Sequence, residues 1–218
     1  MNRYIQNIVQ HPKFQAIIRP ATEEFAGVRT AVVGLLHKLF HLHPTNTCQP
    51  SHVEPLLAAY GGTLSKPDRQ LLSVFQLFER TRKASIVSLL SSWSPAADSP
   101  CASALQAIQG LDPARVMKTC VSFPQYYSGQ GEDGDLVADE RVYDPVFVLL
   151  LFSQMLAGGA PTTALAWVQM FRTNVVSLLI RALSSHVGEV RALAMVQVAG
   201  LYAALQVSRG LLVHYSQR

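Results

Sequence analysis

Histidine and cysteine are the densest chemistry-bearing residues of this chain: His37, His41, His43, Cys48 and His52 crowd into one short stretch. On a helix His37 and His41 would share a face at i, i+4, the spacing that zinc-binding helical histidines use. No His-Glu-x-x-His and no finger-type spacing accompanies them, so the pattern predicts ordinary surface histidines and no metal site. Gly129-Gln130-Gly131-Glu132-Asp133-Gly134 spells G-x-G-x-x-G, but no strand precedes it. Glu132 and Asp133 would also repel the phosphate that such a loop cradles. Neither G-x-x-x-x-G-K-[ST] nor G-x-S-x-G occurs. Asp68, Asp112 and Asp144 stand alone as acids, each at the start of an expected helix, where capping is their predicted duty. With no nucleophile paired to a base and no carboxylate dyad, the chain reads as non-enzymatic, without a cofactor or a small-molecule substrate.

The remaining chemistry is cationic. Lys66, Arg69, Arg80, Arg82 and Lys83 lie on or beside one apolar helical segment. Phosphate contacts from them would supply salt-sensitive, sequence-independent affinity for RNA. An RNA-backbone surface and a plain solvated face both remain open for these five residues. The charge distribution leans the same way, since residues 1–120 hold 12 Lys+Arg against 7 Asp+Glu, whereas residues 121–218 hold 6 against 7.

These groups must be positioned by helices, because sustained period-2 alternation is missing and no Asn-Gly or Asp-Gly hairpin separates β-branched runs. Val176, Leu179, Ile180 and Leu183 fall at i, i+3, i+4 and i+7, as do Val190, Ala194, Val198 and Leu201, so each set makes one stripe of a 3.6-residue period. The polar elbow Ser184 to Glu189 joins them, with Glu189 in the first turn of the second helix. Ser51-His52-Val53-Glu54 and Ser65-Lys66-Pro67-Asp68 have capping-box spacing. Ser99-Pro100, Asp112-Pro113 and Asp144-Pro145 each put a cap residue before a proline suited to the first helical position. Helices are expected at 2–10, 13–19, 22–42, 52–60, 66–93 with a break near Arg82, 100–109, 113–121, 145–157, 163–171, 174–184 and 188–205.

Short amphipathic helices of this kind bury their stripes by stacking, which predicts an all-α, armadillo/HEAT-like α-solenoid of helix pairs. A hydrophobic content of 49% supports a folded core, and the charged share of 15%, below the roughly 25% usual for soluble domains, suggests apolar surface covered by further protein. Cys48, Cys101 and Cys120 form no C-x-x-C pair and read as thiols in a reducing compartment. No signal peptide is read at the start. The uncharged run Pro145 to Phe171 is broken by Gly158-Gly159-Ala160-Pro161, so two helices and no membrane span are expected there. Five of the 14 acids lie between Glu132 and Glu140, which predicts a mobile acidic surface loop. The organisation is therefore a helical repeat segment at 1–122, an acidic loop at 123–142, armadillo-like helix pairs at 143–206 and a divergent tail at 207–218.

Four stretches, in order, resemble the C-terminal region of the nucleolar pre-ribosomal-associated proteins, the Urb/Npa ribosome-biogenesis scaffolds. They are Leu56-Leu57-Ala58-Ala59-Tyr60-Gly61-Gly62-Thr63-Leu64-Ser65 with Asp68-Arg69 and Phe78-Glu79; Leu111-Asp112-Pro113-Ala114-Arg115-Val116 with Ser122-Phe123-Pro124; Val142-Tyr143-Asp144-Pro145-Val146-Phe147 through Leu151-Phe152-Ser153; and Ala182-Leu183-Ser184-Ser185 with Glu189-Val190-Arg191-Ala192. The resemblance implies a non-catalytic nucleolar scaffold acting early in large-ribosomal-subunit assembly. Its implied partners are pre-rRNA and other assembly factors, including a DEAD-box helicase. An armadillo/HEAT-type protein-binding adaptor with no RNA role is the alternative. Family members are far longer than 218 residues, and Ser208 to Arg218 departs from their continuation. The chain is accordingly expected to be a fragment, a truncated product or a splice product, poorly soluble by itself because its stack ends are uncapped.

Overall fold

In a computed structural model that describes residues 2–18, 25–83, 85–90, 92–95, 101–129 and 138–216, the chain is all-α, and no strand occurs among the described residues. The helices are α1 (Asn2–Val9), α2 (Phe14–Ile18), α3 (Ala26–Leu42), α4 (Pro44–Thr47), α5 (Val53–Ala59), α6 (Lys66–Arg82), α7 (Ile86–Leu90), α8 (Ala104–Gln109), α9 (Pro113–Val121), α10 (Pro145–Gly158), α11 (Ala164–Arg172), α12 (Val175–Ala182) and α13 (Gly188–Ser216).

Several of them start on a side-chain cap. Ser65 accepts from Asp68 N–H, and Pro67 sits in the first turn of α6. Asp112 accepts from Ala114 and Arg115 N–H at α9, and Asp144 from Val146 and Phe147 N–H at α10. Each such cap satisfies backbone donors that the helix itself leaves unpaired. The α6 helix stops at Lys83, whose φ of 55° is left-handed and reverses the chain, giving the expected break near Arg82.

Four local expectations are overturned. Ser51 does not cap, because Pro50–His52 forms a 3-10 turn and α5 starts at Val53 without a side-chain cap. The helix expected from residue 100 starts instead at Ala104, where Ser103 accepts from Gln106 N–H; Ser99 and Pro100 lie outside the described residues. The tail after residue 205 is helical to Ser216, since no proline follows and Ser208 is anchored by hydrogen bonds to Pro161 O and Ala204 O. In α12 the buried face is Val175, Leu178, Leu179 and Ala182, while Ile180 is 60% exposed. Two overlapping stripes in α12 share the same 3.6-residue spacing, and packing against α9 and α13 selects the one displaced by a single residue.

The centre of the helical assembly is α10, fourteen almost wholly apolar residues in contact with α7, α8, α12 and α13. Val146, Phe147, Val148, Leu149, Leu151, Phe152 and Met155 are all buried, so the helix is covered on every side. On the other flank α3 packs along α6, and α2 along α3. From Gly188 to Ser208, α13 is long and apolar enough to cross a membrane by length and composition alone, and most of that stretch is not buried. Its inner face carries Gln197, whose amide donates to Leu149 O at 2.5 Å and Ser153 Oγ at 2.6 Å, tying it to α10.

Candidate functional site

The stretches flanking α6 and α10 meet. Asp144 N–H donates to Gly62 O at 2.8 Å and Leu64 N–H to Val142 O at 3.3 Å, around an isolated antiparallel bridge between Thr63 and Tyr143. Gly62 has φ 66°, and a Cβ there would lie 2.5 Å from the Phe147 ring. Only glycine allows this approach at this backbone conformation. Gly129 repeats the arrangement, with φ 72° and a would-be Cβ 2.8 Å from Val146. The junction core is aromatic: Tyr60 and Trp93 both meet Phe147 edge-on, with centroids 5.2 and 4.7 Å away, and Trp93 Nε1 donates to Tyr60 O at 2.7 Å.

Two carboxylates organise this joint, and neither reaches solvent. Asp68 accepts from Gly61 N–H at 3.1 Å, Thr63 N–H at 2.9 Å, Thr63 Oγ1 at 2.5 Å and Arg29 Nη2 at 2.5 Å. Arg29, 3% exposed, also donates from Nε to Ile18 O at 2.7 Å and from Nη2 to Ala59 O at 3.3 Å. Asp68 is thus more than the helix-start residue expected: it shapes the loop before its own helix and takes a buried ion pair from α3. Asp144 caps α10 and accepts from Tyr127 Oη at 2.5 Å. Burial lifts its pKa from the ordinary value to about 6, against the lowering effect of its Tyr127, Phe147 and Val146 donors. Burial, with Asp144 and Asp68 nearby, also pushes the Tyr60 phenol well above its usual range.

The second and fourth stretches adjoin the same junction. Tyr143 Oη accepts from Asp112 N–H at 3.2 Å, Tyr143 N–H donates to Thr119 Oγ1 at 2.9 Å, and Arg115 lies 5.1 Å from the Tyr143 ring centre. His186 N–H and Ser185 Oγ both donate to Gln125 O, at 2.8 and 3.2 Å. The leading part of the segment expected as a surface loop is therefore packed inward, with Phe123, Tyr127 and Gly129 buried, because their rings and backbone fill the space beside α10. The acidic run Glu132 to Asp135 lies outside the described residues. Apolar enclosure and mutual hydrogen bonding suit the joint to holding four chain segments together.

The five candidate cations do not form one cluster. Lys66 and Arg69 sit in the first turn of α6 and Arg80, Arg82 and Lys83 at its far end; sixteen residues at 1.5 Å rise separate the extremes by about 24 Å. Lys66, Arg80 and Lys83 are exposed, and Arg69 is half-buried. Arg82 is partly committed, donating from Nε to Cys48 O at 2.7 Å and from Nη2 to Thr45 O at 3.2 Å. Among the histidines, His52 is buried rather than on the surface, its Nδ1 is 2.8 Å from Thr47 O, and burial lowers its pKa. His41 Nδ1 lies 2.8 Å from His37 O. Among the described residues no group of three or more His, Cys, Asp or Glu is placed to hold a metal ion.

Arg29, Tyr127 and Gln197 escaped sequence reasoning, and Tyr60 entered it only as part of a resembling stretch. Only Arg29 carried a signal, being a cation inside the apolar run Val28 to Leu36.

The chain is 28% identical over 229 residues to "Nucleolar pre-ribosomal-associated protein 1" of Mus musculus, a match covering 93% of this chain and 10% of the relative. It is also 28% identical over 204 residues to the Homo sapiens protein of the same name, covering 84% of this chain and 9% of the relative. Both matches fall in a C-terminal region of the relative. The resemblance expected from the four stretches is thus the one found, and the chain spans about a tenth of the length of these relatives. No family model matches the chain, and no solved structure matches it.

Proposed function

We propose that this chain is a nucleolar component of early large-ribosomal-subunit assembly, a non-catalytic scaffold that holds assembly factors and pre-rRNA. The observation that carries the reading is the match to nucleolar pre-ribosomal-associated protein 1 over 93% of the chain. The helices support an armadillo/HEAT-like stack with two segments, 1–122 and 143–206, locked by the Asp68 and Asp144 junction. A stack of this kind presents long surfaces rather than a closed pocket. Lys66 with Arg69, and Arg80 with Arg82 and Lys83, provide two separate places for RNA backbone. Assembly factors, a DEAD-box helicase among them, take the protein-facing surfaces; membranes and small-molecule substrates have no part in it.

One observation favours the adaptor alternative with no RNA role. Leu165, Val168 and Phe171 on α11, with Tyr202 and Val207 on α13, are 41–67% exposed, and exposed apolar groups of this number suit protein contacts. Tagged chain expressed in cells decides between the two. Nucleolar accumulation with pre-ribosomal factors dominating the co-purified proteins is the expected result. Diffuse distribution and co-purification without any pre-ribosomal factor would remove the scaffold reading.

A further inference from the structure

The elbow between α12 and α13 is pinned to the segment after α9, and the contact leaves two rings on the surface. The Tyr126 and His186 rings stack with centroids 4.6 Å apart and planes 12° from parallel. By contrast Tyr60 and Trp93 meet Phe147 at 87° and 72°. Tyr126 nevertheless remains 77% exposed, so one face of the phenol is covered by imidazole and the other is open to water. The hydrogen bonds from His186 N–H and Ser185 Oγ to Gln125 O hold the backbone on both sides of the pair. Arg181 braces the same joint, donating to Cys120 O at 3.3 Å with its guanidinium 5.7 Å from the Phe123 ring centre.

An exposed, pre-stacked aromatic surface offers a planar ligand a place already ordered, so less conformational freedom is lost on binding. Arg191 extends from the same elbow, exposed, with Nη1 donating to Ser185 O at 2.7 Å. Glu189, also exposed, lies two residues before it on the same helix. Arg181 and Arg191 against Glu189 leave the elbow with a small positive balance, which suits an anionic strand whose bases meet the rings.

We infer that the Tyr126–His186 pair is a stacking platform for a base of single-stranded RNA, which adds a third ring to the open face of Tyr126. Every base presents a π-face, so the contact tolerates sequence. Arg191 then reaches a flanking phosphate, a contact that positions the strand without reading it. The choice of RNA as ligand rests on the ribosome-assembly reading; the platform itself rests on the ring geometry. The site is distinct from the cations of α6, and the stacking contribution of Tyr126 changes little with salt, unlike the Arg191 phosphate contact.

The test uses the purified chain and fluorescence anisotropy with a labelled oligoadenylate of about ten nucleotides, a length within the range one binding surface covers, and with an abasic oligomer of the same length. Tyr126→Ala is expected to weaken oligoadenylate binding about tenfold, in line with the loss of one base–aromatic stack. It should leave abasic binding and the salt dependence unchanged, and Tyr126→Phe should retain the affinity. Thermal midpoints equal to that of the parent chain verify that the variants fold, as the exposure of Tyr126 leads one to expect. Unchanged oligoadenylate binding in Tyr126→Ala, an equal loss on the abasic oligomer, or no binding of oligoadenylate by the parent chain would each overturn the platform. Loss of a protein from the nucleolar co-purification with RNA affinity intact would instead assign the rings to a protein contact. Nucleolar localisation is read separately, so failure here is distinguishable from failure of the scaffold reading.

Discussion

Removing the Arg29 guanidinium while leaving Asp68 in place should be among the most damaging single changes in this chain. Both side chains are almost wholly inaccessible, 4% for Arg29 and 0% for Asp68, and their closest atoms are 2.5 Å apart. Arg29→Met keeps the length and apolar stem but strips three donations, to Ile18 O, Ala59 O and Asp68 Oδ1. Breaking a buried pair from one side costs about 3–5 kcal/mol, because the surviving charge stays desolvated and unpaired. The Thr63 and Gly61 donors still solvate Asp68, which places the cost near the lower end, about 3 kcal/mol. Asp68→Asn strands the opposite charge and should cost a similar amount. In the double variant the stranded-charge penalty occurs in neither direction, so its cost should fall short of the sum by about 2 kcal/mol, within the range found for contacting residues. Urea unfolding measures all three, with the midpoint falling and the slope unchanged. Single variants that each cost under about 1 kcal/mol, or a double variant that costs the plain sum within about 0.5 kcal/mol, would refute the argument that this pair holds α3 to the loop before α6.

Asp144 gives a pH signature. Its folded-state pKa, about 6, lies above the ordinary value of 3.8, so the folded chain binds a proton more tightly than the unfolded one. This contribution is full below the ordinary value and lost as pH rises through 6, so stability should increase on acidification from pH 7 to pH 5, on the order of 1–2 kcal/mol. Asp144→Asn should flatten that increase, and parallel stability–pH curves for the two proteins between pH 5 and 7 would contradict it. Gly62→Ala, which drives a methyl to 2.5 Å from the Phe147 ring at positive φ, should cost about 2–3 kcal/mol, read as a lowered thermal midpoint. Arg80→Glu with Lys83→Glu should weaken RNA association and reduce the salt slope by on the order of 1–2, measured by titration at several salt concentrations. Those two residues are preferred to Arg82, whose reversal would also release the Cys48 and Thr45 carbonyls.

Local chemistry was legible because it acts over a few residues. The absence of strands among the described residues, the starts of α6, α9 and α10, and the break after Arg82 all follow from cap residues, prolines and apolar spacing. The buried face of α12 was not legible, for two stripes with the same period overlap there and only contact with α9 and α13 distinguishes them. The division of the α6 cations into two patches follows from helix length once α6 is known to run unbroken to Arg82. The salt bridge between Arg29 and Asp68 crosses thirty-nine positions of chain, and the hydrogen bond from Tyr127 to Asp144 crosses seventeen. No periodicity reports such pairings.

The residues by themselves determined that this chain is helical, where most of its helices begin, and which longer proteins it resembles. Tertiary structure alone decided what those resembling stretches do: it brings them to one joint, where two carboxylates that looked like simple caps become buried ties. The physical reason is range. Capping and amphipathic spacing are settled within a turn or two of backbone, whereas burial, ion pairing and the exposure of the Tyr126 ring exist only once distant helices have excluded water from one side of a residue and left it on another.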